Sequence, residues 1–561
     1  MKDTTRRRAL TVSALWVAAT LATACDNDGG PAVPGVVTNV TVATLSPTRA
    51  QVTWNDVAGA DEYIVERAAG ATGDDFTELA TVDANTYLDE TLVPSTVYRY
   101  RIAASNSQGQ GNFSSIATHS APSAFSATIS TDITANRTLF ADTTYTLSGF
   151  IHVSNGATLT IQPGTVIKGD FNALGSSLFI LRGAQIRAMG TADRPIVFTS
   201  SRPVGQRQPG DWGGLIIVGN ARGNRTGALE LEGTGTVAGD VSGTNYAVTY
   251  GNGTNDADNS GELHYVRVEF AGYGPAPAAE LNSFTFAAVG SGTQLDHLQS
   301  LAGLDDSFEW FGGTVDARYL VSYESGDDHF DASEGFRGRV QFMIAYQSEV
   351  LVPRTGAGDV SGDPQGIEND GCAGAGCTNG ELSTPLTAPL FANFTLIGTG
   401  PGHVDATSGG YGMVLRRGMA GWYVNGVIAR WPKSAISIRD AASTGTHITS
   451  GELVVRNILA ADNAALFQSG QLTVDATANA ITSATAAASA LFQVLPAAPA
   501  SAESFDWTPA AGSAAASGGL AAFTGTLATK AGTFVTATTY RGAADPNGDD
   551  WWAGWTSYAG S

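Results

Sequence analysis

Basic residues are scarce in this chain. Thirty Lys and Arg stand against 52 Asp and Glu, a formal net charge of −22 at pH 7. A surface of that sign repels phosphate backbones and anionic polymers unless cations bridge them, which argues against nucleic-acid binding. Cysteine is nearly absent, at three in 561 residues, so neither a thiolate zinc cluster nor a disulfide-dense scaffold can be built. After residue 22 no apolar run reaches the roughly 20 residues that a membrane-spanning helix requires. A phosphate-cradling glycine loop, a Ser/His/Asp order and a cysteine nucleophile are also missing, which leaves nucleotide and acyl-transfer chemistry without a foothold. Against these shortages stand 68 glycines and abundant Val, Thr and Ala, the composition of an exported, β-rich protein.

The N-terminus indicates the compartment. Lys2, Arg6, Arg7 and Arg8 precede an apolar run from Ala9 to Ala22, and Leu21-Ala22-Thr23-Ala24-Cys25 follows. A basic flank before a short apolar core reads as a secretory signal peptide over 1–24. Small residues ahead of Cys25 resemble a bacterial lipobox. That resemblance implies cleavage before Cys25, diacylglycerol on its thiol and acylation of the new amine. Several acyl chains anchor stably where one is marginal. Residues 25–32, with Asp26-Asn27-Asp28-Gly29-Gly30-Pro31, form a solvated tether. The expected location is the cell envelope, at the outer membrane or cell surface rather than the inner membrane. The two remaining cysteines, Cys372 and Cys377, are separated by Ala and Gly alone, with no His or third Cys beside them. An oxidising compartment then favours a small-loop disulfide over a zinc site.

Residues 33–120 alternate apolar and polar positions in short runs, the pattern of a β-sandwich. Trp54 follows Val52-Thr53, and the next strand is Tyr63-Ile64-Val65-Glu66-Arg67. Leu92-Val93-Pro94-Ser95-Thr96-Val97-Tyr98 leads into Tyr100-Arg101-Ile102-Ala103-Ala104, and Gly109-Gln110-Gly111-Asn112-Phe113-Ser114 ends the run. These segments together resemble a fibronectin type III domain. The resemblance implies a fold and a spacer or adhesion module, with no chemistry attached.

From about 125 the texture changes to short strands broken by Gly or Pro. Ala157-Thr158-Leu159-Thr160-Ile161, Leu178-Phe179-Ile180-Leu181 and Pro195-Ile196-Val197-Phe198 follow one another at about twenty-residue spacing. A chain coiled in this way buries each rung only against its neighbours. The segments resemble right-handed parallel β-helices of the pectate-lyase-like superfamily and bacterial surface lipoproteins built on that fold. The chain is therefore expected to be all-β, a fibronectin type III-like sandwich followed by a right-handed parallel β-helix over 125–500. A loop insertion is expected near 351–386, an alanine-rich helix or mobile excursion within 475–500, and a C-terminal cap over 501–561.

One repeat can be counted. Asp305-Asp306-Ser307-Phe308-Glu309 recurs as Asp327-Asp328-His329-Phe330-Asp331, 22 positions later, and the same shift pairs Leu298 with Leu320 and Phe342, and Gly313 with Gly335. Adjacent coils lie about 4.8 Å apart, so Asp305, Asp306, Glu309, Asp327, Asp328 and Asp331 form an acidic ladder. Crowded carboxylates retain protons, share a cation, or cap turns through backbone amides. Ca²⁺, which takes six to eight oxygens, is the candidate cofactor. Trp310, Tyr323 and His329 beside the ladder are candidate ligand contacts.

Two functions fit. One is a non-catalytic, membrane-anchored surface protein binding a glycan or an envelope protein, with Ca²⁺ at the ladder. The other is a Ca²⁺-assisted polysaccharide lyase or a glycosidase acting there, with Arg318, Arg337 or Arg339 available as a lyase base. The Asn-Thr-Asp, Gly-His-Gly and Arg-Ile-Lys motifs of the pectin hydrolases are absent, which favours the first.

Overall fold

The computed structural model describes residues 32–235, 247–274, 279–358, 364–401, 409–502 and 504–558; the expected signal peptide and Cys25 lie outside them. The chain divides into two compact units after Ser123.

In the first unit, Thr41–Ser46, Arg49–Thr53 and Thr86–Asp89 form one antiparallel sheet. Thr77–Val82, Glu62–Ala69 and Val97–Asn106 form the other, with Gly109–Gln110 and Ala117–Ser120 both pairing with Val97–Asn106. Alternation turns Val52, Tyr63, Val65, Tyr100 and Ile102 inward around Trp54. The Leu92–Tyr98 turn is locked by the Tyr98 phenol, which accepts the Val93 amide at 2.8 Å. Asp89 is buried, yet its carboxyl lies below the usual range. Burial opposes that shift, while the Thr91 amide and hydroxyl, the Tyr100 phenol and Arg67 outweigh it. This is a fibronectin type III-like sandwich.

The second unit is a parallel β-helix. One 17-stranded sheet and one 9-stranded sheet run its length, parallel and in register. Inward positions of successive coils stack: Leu263 on Leu295, on Ala317, on Val340, on Phe391. Each fully buried aliphatic side chain contributes about 1.5–3 kcal/mol, and no coil buries its faces alone.

The corners of the coil are made by single residues in the left-handed region. One column is Tyr265, His297, Tyr319, Phe342, Asn393, Asn425 and Asn457, with φ between +50° and +65°. It bends each long strand so that the 17-stranded sheet presents two faces. A second column is Phe270, Ala302, Glu324, Arg430 and Asp462, and a third is Ala288, Gly312, Glu334, Arg417 and Asp440. An L-residue placed here costs about 1–2 kcal/mol, least for Asn. The lower half of the first column uses Asn and the upper half replaces it with rings. Asn393 and Asn425 both donate to the Thr538 hydroxyl, at 2.8 and 3.0 Å.

Several expectations are corrected. Leu298 pairs with Leu320 as counted, but Leu320 pairs with Met343 and not with Phe342. One extra residue shifts the coil, and Phe342 takes the corner beneath Tyr319. The 351–386 insertion is interrupted by a genuine rung, Ile367–Asp370, which pairs with Phe330–Ser333 on one side and Tyr411–Arg416 on the other. The alanine-rich stretch is neither helix nor excursion. Thr482–Ser483 pairs with Leu459–Ala461, and a single 3₁₀ turn spans Ala488–Ala490. Residues 501–558 do not cap the end of the solenoid. They lie along its flank, where the outward face is apolar: Phe505, Trp507, Trp552 and Trp555 cover Val321, Tyr323, Ile344 and Tyr346. Leu527 and Val535 cover Leu390, Ala392 and Val424. The final coil is closed instead within 464–482, where the Ala435 amide donates to Ala465 and the Leu472 amide to Ile438.

Candidate functional site

The ladder sits on the outward face of the nine-stranded sheet. Phe284–Ala287, Phe308–Phe311, Phe330–Ser333, Ile367–Asp370 and Tyr411–Arg416 are successive rungs. Alternation turns Phe284, Phe308, Phe330 and Ile367 into the core. It leaves Thr285, Glu309, Asp331 and Glu368 in an outward column.

The turns entering these strands form a second column: Asn282, Asp306, Asp328 and Gln365. Each side-chain oxygen accepts the backbone amide of the equivalent residue one coil on. Asp306 N–H donates to Asn282 at 3.1 Å, Asp328 N–H to Asp306 at 2.8 Å, Gln365 N–H to Asp328, and Tyr411 N–H to Gln365 at 3.0 Å. Asp306 and Asp328 are therefore turn caps, and each serves the next coil.

Capping leaves oxygens over. Carboxylate oxygens of Asp305, Asp306 and Asp327 lie within 4.8 Å of one another, and so do those of Asp306, Glu309 and Asp331. The two triads share Asp306. Asp331 Oδ1 is buried and has no hydrogen-bond partner. Burial first, and neighbouring carboxylates second, push the carboxyls of Asp305, Asp306, Glu309, Asp328 and Asp331 well above their usual range. Glu232 is raised to about 8, by burial and then by Glu280, Asp327 and Glu334. At neutral pH the cluster must hold protons or a cation.

Sequence reasoning missed Glu232, Glu280, Glu368 and Asp370. The first two come from insertions with no coil period. Glu368 follows Asp331 by 37 positions instead of 22, yet Ile367-Glu368 repeats the apolar–acidic step of Phe308-Glu309 and Phe330-Asp331, and that signal was readable.

Three described arginines near the ladder are committed. Arg416 bonds Glu368 and, at 2.8 Å, Asp370; Arg417 reaches Asp370 at 2.5 Å. Arg225 bonds Glu334, which also accepts the Tyr250 hydroxyl at 2.8 Å. The expected lyase-base candidates lie elsewhere in ion pairs or stacks: Arg337 on Asp256, Arg339 on Asp316, and Arg318 over the Phe534 ring at 4.0 Å.

The three expected ligand contacts are buried side chains, none of them exposed beside the ladder. Trp310 is fully buried, stacked on Phe286 and Phe336 at 5.8 and 5.4 Å; its position in the alternation points it inward. Tyr323 lies beneath the C-terminal flank, packed on Tyr346 and Tyr558. His329 is buried, Nδ1 lies 2.5 Å from the Ser322 hydroxyl, and burial lowers its pKa to about 3. Cys372 and Cys377 are disulfide-bonded. They hold the loop after Ile367–Asp370, where Arg225 bridges to Cys377.

The donors suit a hard cation. All are oxygens, they come from rigid strands and turns on consecutive coils, and one is buried and bare. Ca²⁺ takes six to eight such oxygens at 2.3–2.6 Å, and the two triads are the residues that could hold it.

A solenoid built from two long, parallel, in-register sheets is a parallel β-helix. The chain belongs to the pectate-lyase like β-helix domain family, whose model matches residues 131–508. The family supports a carbohydrate-related role. No curated protein matches the chain. Among solved structures, the FN5 domain of Drosophila Lar is similar at 23% identity, over 16% of this chain and 98% of its own, with a TM-score of 0.15. The FN1–FN3 domains of chicken CNTN1 are similar at 25% identity, over 16% of this chain and 30% of their own, also at 0.15. The type III assignment rests on the strand order and core given above.

Proposed function

We propose that this protein is a lipid-anchored component of the cell envelope whose β-helix binds a glycan through a wall organised by Ca²⁺. The sandwich acts as a spacer, and no bond of the glycan is broken. The observation that carries this reading is the pair of carboxylate triads sharing Asp306, with Asp331 Oδ1 buried and unpartnered beside them. Catalysis fits less well. A lyase requires an uncommitted Arg or Lys beside the metal, and among the described residues the guanidiniums of Arg225, Arg416 and Arg417 near the ladder are held in ion pairs.

Calorimetric titration of Ca²⁺ into the purified protein, beside melts with and without chelator, tests the site. Binding in the micromolar range, a raised melting temperature, and loss of both in Asp305→Asn/Asp327→Asn are expected. No heat and no shift would remove the cation from the proposal. Uronate and neutral polysaccharides, tested with Ca²⁺ present, should be retained without being shortened; chain cleavage would revive the enzyme reading.

A further inference from the structure

The corner column on the opposite wall carries a feature that the acidic ladder does not use. Its upper half is a stack of rings: Tyr265 on His297 at 4.2 Å, His297 on Tyr319 at 4.4 Å, and Tyr319 on Phe342 at 5.1 Å, each pair within 24° of parallel. The stack ends at Tyr265. In the preceding coil the equivalent position is Gly190, because Met189 pairs with His264 and Ile196 with Val266, and the chain turns away through Ala192. Among the described rings, none continues the column above Tyr265.

Beside this stack is a cleft of about 480 Å³, within the usual range for small-ligand sites. Its floor is the ring column. Trp551 forms one side, tilted against Tyr319 at 5.2 Å and fixed by its indole N–H on the Ala543 carbonyl at 3.0 Å. Asp545, Asp549 and Asp550, all exposed, form the lip, and among the described residues no Lys or Arg lines the cleft. Thr508 holds Asp550 at 3.1 Å, and Asp545 accepts the Asn547 amide at 2.9 Å. The result is a rigid aromatic surface under a rim of negative charge. Stacking covers the faces within the column, so the ring faces left to attract a weakly hydrated cation are the outer face of Tyr265 and that of Trp551, and carboxylates add long-range attraction.

We infer that this cleft binds a small organic ammonium ion, its charged head between Trp551, the Tyr265 ring and the carboxylates of Asp549 and Asp550. A bare metal ion would ignore the rings. A neutral sugar would not need three carboxylates on one lip.

Choline and 3,3-dimethylbutan-1-ol share a shape and differ in charge, so the pair isolates the inference. Calorimetric titration of the whole protein, with chelator present, should show choline bound more tightly than about 1 mM and the uncharged isostere at least about tenfold more weakly. Asp549→Asn/Asp550→Asn should weaken choline about tenfold with the melting temperature unchanged, since Asn keeps the acceptor for Thr508. Trp551→Leu should do the same if the flank stays folded, and the aspartate variant decides the matter if it does not. Equal binding of the isostere, undiminished binding in the aspartate variant, or no binding of choline would each overturn the assignment. The ladder plays no part in this test.

Discussion

At the scale of single residues, burial sets the ionisation of the ladder's acidic side chains more than their neighbours do. Glu324 shows it away from the ladder. It sits at a corner with φ of +57°, accepts the Ser348 amide and hydroxyl, and is raised to about 7 chiefly by burial. An acid that keeps its proton in the fold binds more protons there than in the unfolded chain. Its stabilisation is therefore complete below about pH 4.5 and is lost as pH rises through about 7. Glu324→Gln cannot ionise. Its stability relative to the natural protein should improve between about pH 5 and about pH 8, by up to about 3 kcal/mol. Chemical denaturation at several pH values measures this, and a difference that does not change with pH would contradict it. Asp331→Asn makes the parallel case on the ladder. The amide removes a desolvated charge, so without cation the variant should melt at or above the natural protein. With Ca²⁺ it should bind at least about tenfold more weakly, since one charged oxygen ligand is gone.

At the scale of elements, much was legible and the losses have physical causes. The sandwich strands and the 22-residue coil could be read because apolar alternation repeats where one face is buried. The rung Ile367–Asp370 was lost in its insertion because periodicity fails once loop lengths vary between coils. The flank was misplaced for a different reason. Composition shows that Trp507, Trp552 and Trp555 need cover, but the exposed apolar face that supplies it appears only when the coils are stacked. Trp310 was misread because a tryptophan next to an acid looks like a platform until alternation turns it inward. The asparagine corner was not foreseen, and it gives a direct test. Asn425 donates to Thr538, accepts the Leu520 amide at 2.6 Å and holds φ of +60°. Asn425→Ala should cost about 2–4 kcal/mol, from two buried hydrogen bonds and a less tolerant corner residue. Asn425→Asp, which keeps the acceptor, should cost less. A thermal melt of the two variants orders them, and the reverse order would mean that burying the aspartate's charge outweighs the acceptor it keeps.

At the scale of the whole molecule, the sandwich and the β-helix have separate cores, and a solenoid's coils depend mainly on their nearest neighbours. A cation that ties consecutive coils together should therefore act locally. Its oxygens would come from the coils at 305–309 and 327–331, against which the 367–370 rung is paired. Binding there opposes the separation of those rungs and adds to their stability by mass action. Binding also replaces protons, so its effect should be larger at about pH 8 than at about pH 5. Hydrogen exchange at both pH values, with Ca²⁺ and with chelator, resolves the expectation segment by segment. Amides of 305–331 and 367–370 should gain protection with Ca²⁺, most at the higher pH. Those of the first coils, 137–169, should gain little, and those of 41–106 in the sandwich none. Uniform protection across both units would mean that Ca²⁺ acts as a general counterion for a chain of net charge −22, and the ladder would then be a set of turn caps whose remaining carboxyls stay protonated.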